Sequence, residues 1–114
     1  MRKSRYSYQT ITRTREFVVN LPDEDIVQAV DMCGTTTGRN TDKFKETGLT
    51  PLPASLVRPP LIAECPVNIE CKLLSVTEVG DHDLLLGQAV AMHADEEVLD
   101  ENGRVDPGRL RPII

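Results

Sequence analysis

The chain has 114 residues, room for a single domain, 1–114. Its 18 acidic and 13 basic side chains leave a formal charge of −5, which argues against nucleic-acid binding, because that affinity comes mainly from neutralised phosphates. An apolar share of 39% suits a soluble globular chain, and no apolar run approaches the roughly 20 residues of a transmembrane helix. The basic start leads into no apolar signal segment, so a cytoplasmic protein is expected.

Taken in order, Ser7 stands where it could cap a short helix running to Arg15, with Tyr8, Ile11 and Tyr6 on its buried side. Glu16–Leu21 (EFVVNL) is β-rich and closed by Pro22, which predicts a strand. Asp23 then precedes a stripe of Ile26, Val27, Val30 and Cys33 at helical spacing, with Gly34 as its stop. Thr35–Asn40 has turn chemistry. Thr41–Glu46 predicts a short helix with Phe44 buried and Gly48 closing it. The four prolines between Leu49 and Pro60 predict an extended linking loop, followed by a strand over Leu61–Cys65.

The second half is strand-rich. Val67, Ile69, Cys71 and Leu73 alternate with Asn68, Glu70 and Lys72, the period of a half-buried strand with a polar face in solvent. The apolar phase then moves to Leu74 and Val76, which predicts a bulge near Leu73. Gly80–Asp83 is expected to turn the chain into a long return strand, Leu84–His93. The acidic run after Ala94 and the turn residues Asn102, Gly103, Asp106, Pro107 and Gly108 point to loops. Helices first and paired strands later predict an α+β fold on an antiparallel sheet or small barrel. Few strands are available to close a barrel, and the chain stops on apolar Pro112, Ile113 and Ile114. A fragment, or a protomer completed by a partner, is therefore expected.

Cys33, Cys65 and Cys71 are odd in number and lack CxxC spacing, so reduced thiols are expected, with Cys33 and Cys71 buried on apolar stripes. Their spacing to His82 and His93 fits no compact zinc pattern, and no metal site is assigned. Neither histidine has a sequence-local acid and nucleophile, and no catalytic side chain is assigned. Anion binding is the better candidate. Ser4, Arg5 and Ser7 group hydroxyls and a guanidinium at a helix start. Thr37, Gly38 and Arg39, with Lys43 one turn on, repeat the formula: Arg offers a planar fork, Thr a neutral donor and Gly close backbone approach. Ordinary capping and turn chemistry accounts for the same residue types.

The segments SRYSY (4–8), EFVVNLP (16–22), DMCGTTTGRNTDKF (31–44), LIAECPVNIECKL (61–73) and GDHDLLLGQAV (80–90) together resemble the flavin reductase-like family of FMN-binding split barrels, in the family's order and spacing. The resemblance implies an antiparallel Greek-key split β-barrel with short flanking helices, here incomplete, and a homodimer binding FMN near its interface. It also implies transfer of reducing equivalents from NADH or NADPH to flavin. By position it assigns Ser4, Arg5, Ser7, Thr37, Gly38, Arg39 and Lys43 to the flavin phosphate; the family more often has Ser where Thr37 stands, and the hydroxyl is kept. Family members usually carry strands before the SRYSY-like segment that touch the flavin ring, and they continue beyond the position of Ile114. Two other readings follow: a flavin-binding electron carrier without a nicotinamide site, and a truncated, non-catalytic split-barrel dimer.

Overall fold

A computed structural model describes residues 1–26, 29 and 43–110. The EFVVNL segment forms strand β1 over Glu16–Leu21, as its β-branched and aromatic content predicts. It pairs antiparallel with β4, Val67–Val79, in a register running from Glu16 opposite Lys72 to Leu21 opposite Val67. β4 in turn pairs with β5, His82–Ala94, so the main sheet has the order β1-β4-β5. A two-residue ribbon, β2 (Pro51–Leu52) with β3 (Leu61–Ile62), forms a second small sheet. The strand expected over Leu61–Cys65 is thus only Leu61–Ile62, because a turn follows in which Cys65 N–H donates to the Ile62 carbonyl at 3.1 Å.

Helix α1 spans Tyr6–Thr14 and begins two residues before the predicted start. Arg5 is its N-cap, and no side chain caps it, so Ser7 sits inside the first turn rather than at the cap. Tyr8 and Ile11 are half-buried, but Tyr6 is exposed, a correction to the expected buried side. Thr10, Thr12 and Thr14 donate their hydroxyls back to the carbonyls of Tyr6, Tyr8 and Thr10 at 3.1, 2.8 and 2.9 Å. The helix ends at Arg15 in the left-handed region (φ 61°), from which its N–H reaches the Ile11 carbonyl at 2.7 Å.

The ladder between β4 and β5 shifts register twice, between Glu70 and Cys71 and between Leu73 and Ser75. The second shift is the expected bulge. Arg15 clamps it from the side: Leu73 N–H donates to the Arg15 carbonyl at 2.8 Å, and the guanidinium donates to the Leu73 carbonyl at 3.2 Å. The hairpin turn is narrower than predicted. Val79 pairs with His82, leaving Gly80 and Asp81 as the loop, with Gly80 at φ 58°, a conformation that suits the right-handed twist of a hairpin. Asp83 therefore lies in β5, where it is buried and accepts the Tyr8 hydroxyl at 2.7 Å.

The polar face of β4 is not in solvent, and the tail read as loops carries core residues. Asn68 and Glu70, read as the solvent face of β4, are buried, because the proline-rich loop 53–60 and the turn after β3 cover that face. The segment after Ala94 contributes to the core: Val98 of a 3-10 turn (Glu96–Val98) and Leu110 of helix α3 (Pro107–Leu110) pack with Val67, flanked by Leu21, Ile69, Ala94 and Val105. A bridge between Leu99 and Val105 closes the intervening turn, in which Gly103 adopts φ 75°. Helix α2 spans Lys43–Thr47, with Gly48 at φ 73° donating to the Phe44 carbonyl as the predicted stop; Phe44 is half-buried. Of the predicted helix after Asp23, the first turn is a 3-10 segment, Glu24–Ile26, and Ala29 is helical; the other positions, with Cys33, and the apolar end at 112–114 lie outside the described residues.

Candidate functional site

A groove of about 340 Å³ opens between α1, β1, α2 and the proline loop. Ser7 of α1 and Lys43 of α2 both line it, so the fold brings together two of the residues selected for anion binding. Asn20 and Thr47 add polar atoms, and Val18, Phe44, Leu49, Pro59, Pro60 and Ile62 make the remaining wall apolar. The chemistry of this lining is amphipathic: an ammonium and a hydroxyl beside flat apolar surfaces.

Ser4 and Arg5 do not line this groove. Ser4 lines a separate depression of about 370 Å³ with Arg2, Lys3, Gly80, Asp81 and Asp83. Two carboxylates there oppose an anion, and Lys3 is already committed to Glu78 at 2.6 Å. Arg5 is exposed at the α1 N-cap and makes no side-chain hydrogen bond or ion pair among the described residues. Thr37, Gly38 and Arg39 lie outside the described residues, in the stretch of chain that leads into Lys43.

The groove floor rests on a network that sequence reading missed. Asn20 donates to Asn68 Oδ1 at 2.5 Å, and the same oxygen accepts Ile62 N–H at 3.1 Å. Asn68 then donates its amide to the carbonyls of Ile62 and Cys65, both at 3.2 Å. A buried amide with donors and acceptors satisfied on both sides fixes β1, β3 and the following turn against one another. Thr47 uses its hydroxyl locally, donating to the Lys43 carbonyl at 2.5 Å and accepting Leu49 N–H at 3.4 Å. Glu64 closes the β2–β3 loop by accepting the Thr50 N–H and hydroxyl at 2.7 and 2.9 Å; the Thr50 backbone bond holds its carboxyl below the ordinary value.

Glu70 is the second omission. Its side chain is fully buried, a costly place for a carboxylate without partners. Its Oε1 accepts the N–H groups of Leu56 and Val57 at 2.6 and 3.2 Å, and Oε2 accepts that of Ser55 at 2.9 Å and meets His93 Nε2. Burial pushes the Glu70 carboxyl up, but the three backbone donors and His93 outweigh it and hold it at about 2. A polar alternation in β4 gave no hint of this; a proline-rich segment whose few remaining N–H groups need acceptors is the signal that could have.

Residues 1–110 match the flavin reductase like domain. An uncharacterized protein of Aquifex aeolicus is 32% identical over 105 residues, covering 92% of this chain and 54% of its own length. Among solved structures, the flavoredoxin of Desulfovibrio vulgaris (Miyazaki F) is 34% identical at a TM-score of 0.93, covering all of this chain and 61% of that one. An FMN-binding protein from Thermus thermophilus, solved with bound 1-cyclohex-2-enone, is 27% identical at a TM-score of 0.82, covering 94% of this chain and 58% of that one. The chain spans about half the length of the curated relatives it matches. Matched over nearly its whole length, it belongs to the flavin reductase-like domain family.

Proposed function

We propose that this chain is the phosphate-holding part of an FMN-binding, flavin reductase-like protein that passes reducing equivalents from NADH or NADPH to flavin. The observation that carries the reading is the groove, which Ser7 and Lys43, distant in sequence, both line beside apolar walls. That donor set suits a ligand with one anionic end and one flat apolar end, and FMN is such a molecule. Ser7 supplies a neutral donor and Lys43 a cation, with Thr37, Gly38 and Arg39, just before Lys43 in the chain, as further donors toward the phosphate. The flavin, when bound, supplies the hydride-accepting chemistry; the chain binds it and shields it from water.

The rest of the reading follows the family. The sheet is the described part of an incomplete Greek-key split barrel in a single cytoplasmic domain, and the protein works as a homodimer. Supporting the dimer, the outer half of the β4–β5 hairpin exposes Val79, Leu84 and Leu86 on one face and Val76 on the opposite one, apolar area that a second copy would cover.

The test compares FMN with riboflavin, which lacks the phosphate. Lys43→Ala and Arg39→Ala should each weaken FMN binding roughly tenfold and leave riboflavin almost unchanged, since a hydrogen bond to a charged group contributes about 1.5–3 kcal/mol. Equal losses for the two flavins would overturn the phosphate assignment. The likeness to flavoredoxins favours a second reading, an electron carrier without a nicotinamide site. Oxidation of NADH or NADPH with added FMN separates the two: turnover supports the reductase, and its absence in an FMN-loaded protein supports the carrier.

A further inference from the structure

The proline loop is tied to the sheet by acidic side chains rather than by a backbone ladder. Ser55, Leu56 and Val57 point three consecutive N–H groups at the Glu70 carboxylate, a nest of the kind that holds anions, here filled by the protein's own side chain. The next donor, Arg58 N–H, goes to Glu16 Oε1 at 3.2 Å, and Pro59 and Pro60 have no N–H to give. Those two prolines form one wall of the groove. Glu70 sits on β4 directly opposite Val18, which lines the same groove from β1, so one residue links the sheet face to the loop that walls it. His93, on β5, is partly exposed and occupies the remaining side of Oε2.

We propose that Glu70 and His93 are a positioning pair that holds the Ser55–Pro60 loop in place, so that Pro59 and Pro60 present the apolar wall for the flat end of the ligand. This rests on the reading of the groove as a flavin site. It separates two kinds of residue: Lys43 and Arg39 act on the phosphate alone, whereas Glu70 and His93 act on the wall and hence on any flavin. In Glu70→Gln, the amide oxygen can still accept from Leu56 and Val57, but the NH₂ faces the Ser55 N–H, donor against donor. In His93→Ala, Oε2 loses its outer partner; His93→Gln restores a donor there.

FMN and riboflavin are titrated into the full chain and the three variants, with amide exchange followed at Ser55, Leu56 and Val57 and along β4 and β5. Glu70→Gln and His93→Ala should raise the Kd of both flavins by a similar factor, about tenfold, the size expected from one lost charge-assisted hydrogen bond. They should speed exchange at the three loop amides while the strand amides stay protected, and His93→Gln should recover both readouts. Loop amides as protected as in the wild type, or loosened loop amides with unchanged flavin affinity, would overturn the proposal. A loss confined to FMN would overturn it too, by placing the pair at the phosphate. If Glu70→Gln does not fold, the contrast between His93→Ala and His93→Gln decides alone. A wild-type chain that binds neither flavin refutes the flavin reading itself, and the positioning proposal falls with it.

Discussion

Gly87→Ala puts the packing between β1 and β5 to a direct test. A Cβ built on Gly87 would lie 2.4 Å from Phe17 Cζ and 2.8 Å from Cε1, against about 3.5–4.0 Å for comfortable carbon–carbon contact. The Phe17 ring, paired with Cys71 on β4, thus reaches across that strand to cover the backbone of β5. The added methyl must displace the ring by about 1 Å, and overpacking of this kind costs roughly 1–3 kcal/mol. Replacing glycine also narrows the unfolded ensemble, which returns about 0.4–1 kcal/mol. A net loss of about 1–2 kcal/mol is expected, or a fall in Tm of about 4–8 °C for a chain of this size. Phe17→Leu removes the two offending ring atoms, so Gly87→Ala should be neutral or stabilising in that background. Urea unfolding of the four proteins of this cycle measures the coupling. An equal cost of Gly87→Ala in both backgrounds would refute the contact.

Glu70 also sets an acid dependence. Its carboxyl sits at about 2 in the folded chain, below the ordinary 4.5, so as pH falls between these values the unfolded chain takes up a proton that the folded chain refuses. The stability contributed by Glu70 is complete above about pH 4.5 and drains away toward pH 2. The gap in urea midpoint between wild type and Glu70→Gln should therefore be widest near pH 7 and close through that window; a constant gap would contradict it. Cys65 and Cys71 are buried, and burial pushes the Cys71 thiol up, away from the reactive thiolate. Both should resist a thiol reagent in the native protein and react in denaturant, as read by peptide mapping; rapid native labelling at either position would show the packing to be wrong.

The features legible in the sequence are those set by neighbours along the chain. β1 runs over the predicted Glu16–Leu21, because β-branched and aromatic residues stopped by Pro22 leave it little else to be. The bulge at Leu73 shows as a change of apolar phase, and the hairpin as the turn residues Gly80–Asp83 between two strand-forming runs, of which only Gly80 and Asp81 form the loop. Family membership was legible too, from motifs spread along the chain. What only the tertiary structure decided is which polar residues go inside and which come together. Alternation in β4 reports that Asn68 and Glu70 point away from Val67 and Ile69, but cannot say whether water or a loop lies on that side. The loop lies there, and its N–H groups turn a presumed solvent face into a buried acceptor row. Val98 and Leu110 look like residues of an acidic, turn-rich tail until the fold brings them against Val67. In the site, Ser4 and Ser7 are close in sequence yet line different depressions, while Ser7 and distant Lys43 share one. Ser4 precedes the N-cap of α1 and Ser7 lies in its first turn, and only long-range packing chooses what each of them meets.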